Sequence, residues 1–515
     1  MADPFSIPLT GLAANDPVPG TYLQIDFAQG APSNASVTYA ALLIGNRLST
    51  GDAVVDTAVY GPFGSSPLPL VQESDAISRF GQGSELHRMW KRFVKKNPST
   101  PVYAIAVTES VGAQAVQAVT FATVATANGS VRTYIGDEFV DTPITLGDTA
   151  IAVAGNVATS INSMGNWPVT AANGGTAVCT ITAKQKGLRG NWLRGSSVIQ
   201  GSGVGTTSSI VAQAFFTGGT TADSSTAALA SILSKRYYYL VSAAEDTAQL
   251  SALSTQVNTQ ALPTSGIRQA IFAASVDTQG NAQAIAVALN QARAELFWMQ
   301  NADRPPSEIA ADMAALCSLG ELPDGLGAPS RHNFDGLGTG ATALDTLWDM
   351  PYPRSGTVPT RTVIKGSLNN GLAPISANAN GQTYLTMRCT TRSLTSGISD
   401  YRIRDPHKVR ILDFYGDALQ AKMSLQFAGK DIIDNPVTNQ VIKSNNVVWP
   451  LMGKAAIDKL TQDWADDGQF QNAAAMKAAT VVIREASPTT RMSARIPAQP
   501  VDALHQIAID VQQVA

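Results

Sequence analysis

The sequence predicts a multi-domain α/β protein: an α/β core interrupted by a β-rich insert, then a C-terminal α+β domain with extended strand arms at the chain ends. Three observations predict it. At 515 residues the chain exceeds the usual size of one domain. Alternating helical and strand-like segments recur on both sides of a central stretch. That stretch, Val111 to Thr217, holds nine charged residues in 107 and is dominated by Ala, Thr, Val, Gly and Ser, which separates it from its surroundings.

Taken in order, residues 1–36 read as an N-terminal arm rich in Pro, Gly and Asn. Within it Thr21, Leu23, Ile25 and Phe27 alternate with Tyr22, Gln24 and Asp26, the period of a strand. Residues 37–110 read as the first part of the core: a buried strand Tyr39 to Gly45, helices around Ala76 to Lys95, and the strand Val102 to Val107. Residues 111–217 form the insert, with strand-like runs at Val131 to Ile135, Ala177 to Ala183 and Ile210 to Phe216 and a helix over Asp148 to Asn162.

Residues 218–355 complete the core. Helices Ser225 to Lys235, Thr247 to Gln260 and Ala282 to Gln291 lead into strands Tyr237 to Ser242, Ala270 to Ser275 and Glu295 to Met299. Such units build parallel sheets covered on both faces. Gly320 to Gly340 has no periodicity and reads as a long loop.

Residues 356–498 read as the C-terminal domain. It opens on a strand pair, Ala373 to Ala377 and Thr383 to Cys389. A long amphipathic helix over Pro406 to Gln426 follows, then a helix Met452 to Asp466 and strands Thr480 to Arg484 and Arg491 to Ile496. In the last segment, 499–515, Ile507, Ile509 and Val511 alternate with Ala508 and Asp510. Strands at chain ends need a partner, which need not be the same chain.

A net charge of −3 and a pI near 5.9 argue against nucleic-acid binding. The basic cluster Arg88, Lys91, Arg92, Lys95 and Lys96 reads as a solvated helix face, with contact to an acidic partner as the alternative. Three scattered cysteines form no disulfide framework or zinc motif and suggest a reducing compartment. The N-terminus resembles no signal peptide, and no apolar run approaches the ~20 residues of a membrane span. No membrane insertion is expected, and synthesis in the cytoplasm is.

Catalytic chemistry leaves no signature. His87, His332, His407 and His505 are isolated and read as surface or helix-face residues, without the spacing of metal ligands. The runs Gly201 to Gly205 and Gly336 to Gly340 lack the Gly-Lys-Ser/Thr ending of a phosphate loop. No Gly-x-Ser-x-Gly elbow occurs. No catalytic residue, metal site or cofactor is assigned. A cytoplasmic α/β enzyme acting on a nucleotide or sugar is the rival reading from another class.

Five segments, in this order and spacing, resemble the tail sheath proteins of myophages, within their Mu-like branch. They are YAALLIGN from Tyr39, FGQGSELHRMW from Phe80, FFTGGTT from Phe215, GLAPISANANGQTYLTMRCTTR from Gly371 and DPHKVRILDFYGDALQAKMSLQF from Asp405. The resemblance implies a structural protein rather than an enzyme, with a subtilisin-like α/β core that lacks protease activity. It implies a homo-oligomer of stacked hexameric rings, arranged helically around a tail tube protein and bounded by baseplate and tail terminator proteins. The array would assemble in the host cytoplasm and work in the virion, contracting to drive the tube through the host envelope during genome ejection. The insert would lie on the outside. Strand-exchanging arms would carry Leu23, Ile25 and Phe27 at one end and Ile507, Ile509 and Val511 at the other. Tube contacts would come from Lys454 and Lys459, or from Lys408, Arg410 and Lys422. A prophage-derived contractile bacteriocin would use the same subunit chemistry.

Overall fold

The computed structural model describes residues 39–62, 70–320, 349–378, 380–437 and 440–502. The chain enters through β1 (Ala41–Asn46), six buried residues without alternation, as a parallel strand covered on both faces requires. After β2 (Val59–Tyr60) come α1 (Glu73–Phe80) and α2 (Glu85–Lys96). Ser84 caps α2 by accepting the His87 N–H. The next strand, β3 (Val102–Val107), pairs with β1 in parallel.

The insert follows as β4 (Gln114–Ala122), β5 (Gly129–Ile135), β6 (Glu138–Ile144), α3 (Ala150–Ser163), β7 (Val169–Asn173) and β8 (Val178–Lys186). A 3₁₀ turn at Leu188–Trp192 precedes β9 (Arg194–Gln200), β10 (Thr207–Ser208) and β11 (Ala214–Phe215). Two four-stranded antiparallel sheets result, in orders β10-β4-β8-β7 and β11-β9-β5-β6. Along β4, Ala115, Gln117, Val119 and Phe121 point inward while the residues between them are exposed. Ala115, Val119 and Phe121, with Val131, Val157, Ile161, Trp167 and Ile181, form a core separate from that of the main sheet.

The main fold resumes with α4 (Thr226–Ser231), β12 (Tyr239–Ser242), α5 (Thr247–Gln260), β13 (Ala270–Ser275), α6 (Gln279–Leu289) and β14 (Ala294–Trp298). Then come α7 (Pro306–Gly320), α8 (Arg361–Asn369), β15 (Ala373–Ala377) and β16 (Thr383–Leu385). The main sheet has eight strands in the order β16-β15-β14-β13-β12-β1-β3-β2. Its six central strands are parallel, and β16 and β2 close the two edges antiparallel. The sheet crosses the domain boundary expected at 355/356, because β15 and β16 extend it.

Short pairs β17 (Leu394–Thr395) with β18 (Ile398–Ser399) and β19 (Asp431–Ile432) with β20 (Val447–Val448) flank α9 (Pro406–Phe427). The chain then forms α10 (Pro450–Asp466), α11 (Ala473–Ala479) and a hairpin of β21 (Val481–Arg484) and β22 (Met492–Arg495). Asp405 caps α9, accepting from the His407 N–H, and Pro406 opens it where no N–H is needed.

Helix α9 departs from the amphipathic expectation over its first fourteen residues, which are buried almost all round. Three of them, Arg410, Asp413 and Asp417, share a face and meet charges at the N-terminal ends of the parallel strands. Arg410 bonds Glu295 of β14 at 2.6 Å, and Asp413 bonds Arg293 at 2.5 Å. Asp417 takes Arg268 at 2.6 Å and Arg236 at 2.5 Å. Buried charge is tolerated there because each is paired.

Candidate functional site

In open α/β sheets ligands bind beyond the carboxyl ends of the strands, where the strand order reverses. Here that point lies between β1 and β12, since β3 flanks β1 on its other side. The insert fills it. Arg189, on the 3₁₀ turn, pairs with Glu85 and, at 2.6 Å, with Asp223. Asn46, ending β1, donates its side-chain amide to Asp223 at 3.0 Å and its backbone N–H to Glu85 at 2.9 Å. A cavity of about 150 Å³ remains beside them, lined in part by Trp192, Glu245 and Asp246. Burial pushes the Glu85 carboxyl up despite Arg189. Burial, and then the nearby Glu85, push that of Glu245 well above the ordinary glutamate range. Among the described residues no group of three or more His, Cys, Asp and Glu is placed to hold a metal ion, and no helix is long and apolar enough to cross a membrane.

A second junction joins the insert to the core, and it corrects the reading of the basic cluster. Arg88 and Lys96 are buried, and Arg92 nearly so. Arg88 and Arg92 share Glu308 of α7, at 2.6 and 3.0 Å. Arg92 also reaches Asp137, in the β5–β6 turn, at 3.3 Å, and Arg304 pairs with both Asp137 and Asp312. Burial alone would raise the Asp137 carboxyl, but Arg304 and Arg92 outweigh it and hold it at about 2. Arg194 of β9 adds a buried pair with Asp303 at 3.1 Å. Only Lys91 and Lys95 retain substantial exposure, paired with Glu73 and Asp349. Sequence spacing showed these cations on one helix, but their acidic partners lie up to 257 residues away and leave no local signal.

The histidines are corrected in the same way. His87 is fully buried: its Nδ1 accepts the Gly83 N–H at 3.1 Å, its Nε2 lies 3.3 Å from Glu73, and burial lowers its pKa. His407 is buried in α9. His332 and His505 lie outside the described residues, as does the run Gly336 to Gly340. Gly201, Gly203 and Gly205 all take positive φ between β9 and β10, in the insert and away from the crevice.

The expected tube-contact residues do not gather on one face. Arg410 is an interior residue bound to Glu295, which removes it from that set. Lys408 is held by Asp502, and Lys422 is half-buried. On α10, Lys454 binds Asp458 at 3.0 Å and the Lys477 carbonyl at 2.5 Å. Lys459, 71% exposed, pairs among the described residues with the adjacent-turn Asp463 at 3.1 Å. The arm residues Leu23, Ile25, Phe27, Ile507, Ile509 and Val511 lie outside the described residues.

No protein-family model matches the chain. Over 175 residues it is 30% identical to the Mu-like prophage FluMu tail sheath protein of Haemophilus influenzae. Over that stretch the chain is similar to a tail sheath protein. The aligned stretch is 34% of this chain and 34% of that relative, so the match spans about a third of the sheath protein's length. Among solved structures, the sheath tail protein from Desulfitobacterium hafniense aligns over 94% of this chain and 97% of its own, at 12% identity and a TM-score of 0.45. The sheath tail protein from Listeria innocua aligns over 92% and 94%, at 12% identity and a TM-score of 0.46.

Proposed function

We propose that this chain is the subunit of a contractile tail sheath. It polymerises as helically stacked hexameric rings around a tail tube and contracts to drive the tube through the host envelope during genome ejection. The observation that carries this reading is the 30% identity with the Haemophilus influenzae sheath protein over 175 residues. The filled crevice supports a structural role, since Arg189 and its carboxylate partners occupy the place where an α/β enzyme would hold its ligand. A bacteriocin sheath would use the same subunit, and the particle around it would be the difference.

Head-to-tail contacts that do not close on themselves generate helical filaments. The arms, with Leu23, Ile25 and Phe27 at one end and Ile507, Ile509 and Val511 at the other, supply such contacts by strand exchange between neighbours. The hairpin of β21 and β22 offers a place to receive them: among the described residues neither strand pairs with a third. Lys459, with Lys454, faces the tube through modest polar contacts that release on contraction.

Removing residues 503–515 tests the arm. The truncated protein is expected to remain folded and monomeric while the full chain forms filaments. Normal filaments from the truncated protein contradict strand exchange by this arm.

A further inference from the structure

The first and the last of the described segments both meet α9 where they end toward the chain termini. At the N-terminal root, the Tyr39 hydroxyl donates to Asp417 Oδ2 at 3.2 Å. The Tyr39 ring lies 4.6 Å from that of Phe414. At the C-terminal root, Asp502 pairs with Lys408 in the first turn of α9. Just before it, Pro500 bridges Phe470, and the Val501 N–H donates to the Gln469 carbonyl at 3.0 Å. The Phe470 ring in turn packs 5.8 Å from that of Tyr415. Consecutive residues of one helix, Phe414 and Tyr415, therefore carry the anchors of opposite chain ends.

We propose that α9 is the mechanical link between the two arms. Tension arriving on one arm passes across this helix to the other, and the insert lies off that path. The helix is built for this: thirteen of its first fourteen residues are buried, and Arg410, Asp413 and Asp417 fasten it to the strand ends by paired charges. Neighbouring subunits joined by their arms would then be connected through a continuous chain of such helices, leaving the rest of each subunit free to reorient as a body. This last step rests on the sheath reading, but the load path is a property of the single chain.

Single-molecule pulling on the full chain, with handles at its two ends, tests the path without any filament. Forced opening is governed by the barrier of the contacts that bear the load. The first event is expected to release the α9 anchors with the insert, residues 114–216, still folded. Tyr39→Phe removes one hydroxyl bond and Lys408→Met one ion pair, and each is expected to lower the first rupture force. Arg132→Ala, on the insert surface, is expected to leave it unchanged. A first event that opens the insert, or an unchanged force in either root variant, overturns the proposal. Failure to form filaments would contradict the sheath reading and leave this result untouched.

Discussion

Glu295 and Arg388 face each other as a buried bidentate ion pair, with Arg388 Nε and Nη2 at 2.9 and 2.7 Å from the two carboxylate oxygens. Each side chain is 1% exposed, and Arg410 adds a third bond to the same carboxylate. Glu295 lies in β14, Arg388 just beyond β16 and Arg410 on α9, so one carboxylate ties the sheet to the C-terminal segment. Removing the shared carboxylate leaves two buried guanidinium groups without it, and breaking such a buried pair typically costs about 3–5 kcal/mol. Glu295→Ala is expected to lose that much in urea unfolding. A loss below about 1 kcal/mol would show that this group does not hold the segment in place.

Asp137 links the insert to the core, and its folded pKa of about 2 lies below the ordinary aspartate value. Its contribution is therefore fully present above the ordinary range and is lost as pH falls toward 2. Asp137→Asn is expected to raise amide exchange in the β5–β6 turn at neutral pH. The wild type should keep that protection at pH 4. Equal exchange in variant and wild type would contradict the junction's role.

Glu245 behaves with the opposite sign. Its raised pKa means that the folded state holds the proton more tightly than the unfolded chain. That contribution is present below the ordinary glutamate range and disappears as pH rises through the folded value. Glu245→Gln is expected to raise Tm at pH 7 and leave it nearly unchanged near pH 4. A lower Tm at pH 7 would show that the carboxylate is needed in its charged form.

Lys459 is the exposed member of the proposed tube contact, and its pair with Asp463 is of the kind worth about 0–1 kcal/mol. Lys459→Glu is expected to leave folding and self-assembly intact while weakening co-assembly with a tube protein. Unchanged co-sedimentation with tubes would remove α10 from that surface.

The parts of the fold legible in the sequence are those with local signals. ALLIGN and AIFAAS read as buried strands because a parallel strand covered on both faces is apolar throughout. Helix α7 has no place in the sequence reading, although Pro306 and Glu308 mark its start. Its remaining residues are mostly apolar on every side, so no amphipathic period announces it. Strand β4 has no place in the sequence reading either, although Ala115, Gln117, Val119 and Phe121 alternate clearly. The ionic junctions were not legible at all. Arg88 with Glu308, or Arg410 with Glu295, are ordinary helix-face charges until the fold brings their partners across more than a hundred residues.

Negative-stain electron microscopy of the purified full chain, alone and with a candidate tube protein, tests polymerisation as a sheath. Regular hollow tubes or striated sleeves are the predicted result. A small monodisperse particle under both conditions would contradict the account.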